Sequence, residues 1–153
     1  MSYQLAQLNI ARHLYPLDSA GMKDFMDALP KINKLGDDSP GFVWRLFDES
    51  GDATGIGNPF GEDVIINLTV WESVESLRGF IYQTEHLDYM RRRREWFTHE
   101  GLKGGYAVMW WIPAGHIPTI EEAAERLAHL DEHGSTPHAF TFREPHPAPT
   151  QVV

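Results

Sequence analysis

Cysteine is absent from all 153 residues, which excludes disulfides, thiolate nucleophiles and cysteine-bound metals at once. A long apolar run is missing too. No stretch approaches the roughly 18 residues of a membrane-spanning helix, so no membrane partner is expected. Positive charge is scarce: 13 lysines and arginines face 22 carboxylates, a formal net charge of -9. Such a surface repels phosphate backbones, and no nucleic-acid partner is expected. Residues 1–15 alternate, with no basic region ahead of an apolar block, so they do not form a signal peptide. A cytoplasmic location is the resulting expectation. GxSxG, P-loop and HExxH motifs are also missing, which removes the motif-defined hydrolases and nucleotide enzymes.

What is present is a hydrophobic share of 42%, with 12% aromatic residues, enough for a core. A single domain over residues 1–143 is expected, followed by a proline-rich, disordered tail at 144–153. Residues 64–97 organise the rest. Val64 to Trp71 is β-branched on both faces and predicts a buried strand. Ser73 is placed to cap a helix, and Thr84 a second segment running from Glu85 to Phe97.

Taken in order, Tyr3 to His13 alternates as a strand, with Leu5, Gln7, Asn9 and Ala11 on one face. Ser19 to Leu35 carries a helical stripe that Pro30 should kink or divide. Phe42 to Asp48 predicts a strand with Phe42, Trp44 and Leu46 on one face, and residues 49–62 a glycine-rich loop. Gly101 to Gly105 is a turn. Tyr106 to Ile112 is a strand apolar on both faces. Thr119 and Glu122 form a capping box for a helix from Ile120 to His133, with Leu127 and Leu130 inward and Gly134 as its stop. Residues 138–142 could add a short strand.

Strand, helix, strand, strand, helix, strand is the order of an α+β, ferredoxin-like split βαβ. It gives a four-stranded antiparallel sheet with two helices on one face, here with an appended helix and short strand. Two helices cover one face only. A second subunit covering the other, sheet against sheet in a dimeric α+β barrel, is the economical solution, so a homodimer is expected.

The segments 67–97 (from NLTVWES to REWF), 110–143 (from WWIPAGH to FTFR) and 40–46 (PGFVWRL) resemble an uncharacterised bacterial domain-of-unknown-function family. That family in turn resembles the dimeric α+β barrel superfamily, which holds the antibiotic-biosynthesis monooxygenases and the haem-degrading monooxygenases. The resemblance implies an internal pocket for a small, flat, apolar or aromatic molecule. It also implies oxygenation without a cofactor, the substrate supplying the electrons as a stabilised carbanion. The position of His86 on its helix is similar to where haem-degrading relatives hold an axial ligand, which makes haem binding or degradation the alternative. A third reading is a non-catalytic binding or interaction protein whose barrel is filled by side chains.

Candidate residues follow. His86 is the base or the haem ligand, or a histidine hydrogen-bonded at a helix break. Asn67 and an inward arginine, Arg93 or Arg94 from the run 91–94, would orient the substrate or steady its anion. Trp44, Trp71 and Trp110 would bound the pocket, and Trp96 adds to the aromatic surface, although aromatics fill ordinary cores as well. His116, at the end of the last long strand, could reach a cavity mouth. His129 and His133, four apart on one helix, suit two metal ligands, but no third follows at motif spacing, so no metal is expected.

Overall fold

The computed structural model describes residues 2–47, 54, 56–98 and 106–149. Strand β1 (Tyr3–His13) is the centre of the sheet, because its alternation gives each face a set of apolar side chains. It pairs antiparallel with β3 (Val64–Trp71) along one edge and with β5 (Ala107–Pro113) along the other. The edge strand β2 (Phe42–Arg45) lies against β3. The order β2-β3-β1-β5 is that of the split βαβ. A two-residue strand, β4 (Phe97–Thr98), continues the β5 side along the end of β1.

Helices α1 (Lys23–Asp37) and α2 (Val74–Gln83) cover one face. Pro30 lies inside α1 without dividing it, and a single 3-10 turn, Ala20–Met22, leads in. At the end of α2 one hydroxyl does two jobs. Thr84 Oγ1 donates to the Phe80 carbonyl (2.6 Å), closing α2, and accepts from the His86 amide (3.2 Å), opening α3 (His86–Arg91). The expected helix to Phe97 is shorter than its sequence suggested: a 3-10 turn at Arg93–Glu95 intervenes before β4. The 101–105 turn lies outside the described residues.

The other face is covered from within the chain. Helix α4 (Ile120–His133), capped by Thr119, lays Ala123 and Leu127 on Ala6, Leu8, Ile10, Ile66, Leu68, Val70, Val108 and Trp110. Trp44, Leu46, Ile56 and Phe60 pack at the margin, the last two from the far end of the glycine-rich loop. Leu8 and Trp110 are 0% exposed, so the bare face that called for a second subunit does not exist. The appended helix does what a partner sheet was expected to do.

Two local features differ from the sequence expectation. A bulge at Val43 shifts the register between Phe42↔Trp71 and Trp44↔Val70. One extra residue reverses the side on which the chain points, so Phe42 joins the α2 face while Trp44 joins the α4 face. The final strand reduces to a single bridge, Met109 to Phe140. Beyond it, the described part of the tail is laid down instead of leaving the surface: Trp111 Nε1 donates to the His146 carbonyl at 2.8 Å. A shallow, open depression of about 330 Å³ lies between that tail and α2.

Candidate functional site

The face under α1 and α2 is not purely apolar. Its three cross-strand rows are Trp111–Leu5–Trp71, Met109–Gln7–Thr69 and Ala107–Asn9–Asn67. The first sets an indole on either side of Leu5, with Leu5 and Trp71 buried and Trp111 half-buried. The second holds Gln7 and Thr69, which are 7% and 6% exposed. The third ends in the exposed amides Asn9 and Asn67. Amides buried between sheet and helix cost free energy unless they are paired, and these are paired with one another. Gln7 Nε2 donates to Asn67 Oδ1 (2.5 Å) and to Thr69 Oγ1 (2.7 Å). Trp71 Nε1 donates to the same hydroxyl at 2.8 Å, and Asn9 Nδ2 reaches Gln7 Oε1 at 3.4 Å. The two N–H groups of Gln7 are consumed. Those of Asn67 have no partner among the described residues, and they lie at the exposed end of the row.

The aromatic end leads to His86. Trp71 is held edge-on by Phe42 (5.5 Å between centroids) and stacked by Phe80 (5.3 Å). Phe80 in turn packs against the His86 ring at 4.8 Å. His86 Nδ1 is buried without a partner. Loss of solvent pushes its pKa below the ordinary histidine range, with the Ile81 carbonyl opposing the shift, so the ring is neutral at neutral pH. His86 and Asn67 thus belong to one continuous chain of contacts, with two aromatic rings between the imidazole and the amides.

Other expected members are placed apart. Trp110 lies on the α4 face and Trp71 on the α2 face, so one pocket within a chain cannot be bounded by both, nor by Trp44 with Trp71. Trp110 Nε1 donates to Glu122 Oε2 (2.8 Å), and Glu122 Oε1 holds His116 Nε2 (2.6 Å). His116 is therefore tied to α4. Glu122 completes no capping box, because its carboxylate is spent on those two partners. Trp96, 3% exposed, sits under Phe25 and the Arg92 guanidinium. Arg92, not Arg93 or Arg94, carries the organising contacts of its run, to Asp24 and Glu95 (both 2.8 Å). Arg93 and Arg94 are exposed, and Arg93 donates back to the Met90 carbonyl in α3.

Gln7 and Thr69 were not anticipated as site residues. The available signal was a polar pair on the face that also carries Leu5 and Trp71. Nothing in the arrangement around His86 favours haem, and among the described residues no three histidines or carboxylates stand ready as a metal cage. No helix among them is long and apolar enough to cross a membrane.

A family model, Domain of unknown function (DUF3291), matches residues 4–153. No curated protein matches the chain. Among solved structures, similarity is found to SnoaB, a cofactor-independent oxygenase from Streptomyces nogalater, at 14% identity and a TM-score of 0.44, over 76% of this chain and 97% of that one. A candidate antibiotic biosynthesis monooxygenase from Chloroflexus aurantiacus is 18% identical at a TM-score of 0.45, over 75% and 97%. A protein of unknown function from Nitrosomonas europaea, NE2512, is 14% identical at 0.43, over 76% and 96%. Likeness at this level decides no chemistry.

Proposed function

The chain belongs to the family Domain of unknown function (DUF3291), and on that footing we propose that it binds a small, flat, largely apolar molecule on the α2 face of its sheet and oxygenates it without a cofactor. The observation that supports this is the amide row, which ends with the N–H groups of Asn67 unspent and exposed. Preorganised amide donors are what a developing enolate oxygen requires, because they stabilise the charge without having to reorient as it forms. His86, neutral because burial opposes its charging, is the proposed base that removes the carbon-bound proton. The carbanion then gives its electrons to O2. One oxygen atom stays in the product as a carbonyl and the other leaves as water. Trp71 is covered by Phe80, so a flat ligand reaches the indole by displacing that ring.

Oxygen consumption with a panel of hydroxylated polycyclic aromatics tests the reading. Turnover should fall at least about tenfold in both Asn67→Ala and His86→Ala, since one general base alone contributes more than that. Oxygen consumption with no member of the panel, or a rate equal to that of the wild type in either variant, sinks it.

The filled core on the α4 face supports a second reading, a non-catalytic binding or interaction protein. Failure of every panel compound to raise Tm would favour it. A homodimer stays within the proposal on the family resemblance alone, and α4 requires it to form by some route other than sheet on sheet. Light scattering on the eluting protein decides it, and a monomer at micromolar concentration removes the dimer.

A further inference from the structure

Three histidines converge where α4 ends. His129 and His133 are four residues apart and share a helix face. Gly134, with φ of 74°, turns the chain back, and the Thr136–Ala139 bridge holds the returning segment in place. That return brings His138 to His129: the ring centroids are 4.5 Å apart, and those of His129 and His133 are 4.4 Å apart. His129 is therefore flanked on both sides by imidazoles, and its Nδ1 is buried without a partner. The third ligand that the sequence spacing lacked is supplied by the fold.

His138 is already oriented. Glu125 takes its Nε2–H at 2.9 Å, which leaves Nδ1 with a lone pair that Arg126 occupies from 3.0 Å. A carboxylate behind a histidine is the arrangement that fixes the tautomer and raises the basicity of a metal ligand. We propose that His129, His133 and His138 form a site for a divalent transition ion such as zinc. The rings close on the ion by rotation, and Arg126 gives up Nδ1 of His138. Zinc–nitrogen bonds of about 2.0–2.1 Å demand that movement, since the three rings are neighbours but not yet a cage. The bound ion would staple the end of α4 to the returning segment.

The test is a zinc titration of the untagged full chain against a chromogenic chelator, with Tm followed in parallel. One ion per chain is expected, with a rise in Tm. Affinity should fall at least tenfold in His129→Ala and in His138→Ala. His129→Gln replaces His129→Ala if the alanine variant loses its far-ultraviolet circular dichroism. No saturable binding below millimolar zinc, or binding unchanged in either variant, overturns the site.

Discussion

The two faces of one sheet have been given opposite tasks. On the α4 side the middle rows, from Ala6 to Ile10, are aliphatic or indole, with Gln4 and Arg12 only at the two ends. A helix that follows the sheet in sequence closes them, and Leu8, Val70 and Trp110 are at most 1% exposed. On the α2 side the rows grade from aromatic to buried amide to exposed amide. Both faces come from the same strands, whose side chains point alternately up and down. What differs is whether polar groups reach the middle of the set, as Gln7 and Thr69 do on the α2 side. One face holds the molecule together; the other leaves the N–H groups of Asn67 exposed, where the proposed function places a ligand.

The contrast can be broken from either side. Trp110→Ala should have the largest effect. It opens a cavity in the sealed face and should lower unfolding free energy by about 3–5 kcal/mol in urea denaturation. Next is Gln7→Ala, which strips the donor from Asn67 and Thr69; a loss of about 1–3 kcal/mol is expected by the same measurement. A loss as large as that of Trp110→Ala would show that the two faces are not different in kind.

A pH effect follows from His86. Its pKa is lower folded than unfolded, where 6.5 is the ordinary value. Below that value the unfolded chain takes up a proton that the folded one resists. Stability contributed by the neutral ring is therefore present above about pH 6.5, lost as pH falls below it, and levels off below the folded pKa. His86→Phe should flatten this part of the curve in denaturation series from pH 8 to pH 5. An unchanged curve would place the titration elsewhere. The smallest stability change is expected for Asn67→Ala, about 1 kcal/mol: its side chain is exposed, but its Oδ1 accepts from the buried Gln7 Nε2. Low cost in stability with high cost in turnover is what separates an amide kept for a ligand from one kept for the fold.

Much of this was legible beforehand where the signal is local. Ser73 Oγ accepts from the Ser76 amide at 3.1 Å as its position predicts, Thr84 divides the helix pair, and Gly134 stops α4 with a positive φ. The order of elements gave the sheet. What stayed hidden depends on partners distant in sequence. Glu122 looks like a capping residue until Trp110 and His116 compete for its oxygens. The tryptophans look like one pocket until the sheet divides them. Gln7 announces nothing alone, because it becomes part of a site only through its register with Thr69 and its hydrogen bond to Asn67. His138 similarly gains meaning from the turn at Gly134.

The bulge at Val43 has a consequence for how the gene tolerates editing. Phe42 and Trp44 are anchored on opposite faces only because a single residue stands out of register between them. Deleting Val43 would leave the local composition almost unchanged yet restore strict alternation, so that either Phe42 or Trp44 would have to exchange its core for solvent or for the wrong side of the sheet. Residues 49–62, a few positions downstream, connect the ends of two strands, and added length in such a connection costs little. A scan of single-codon deletions across 40–55, short of Ile56 and Phe60 on the core, should therefore show a trough at Val43 beside a permissive stretch, a boundary set by the parity of the chain and not by the chemistry of the residue removed.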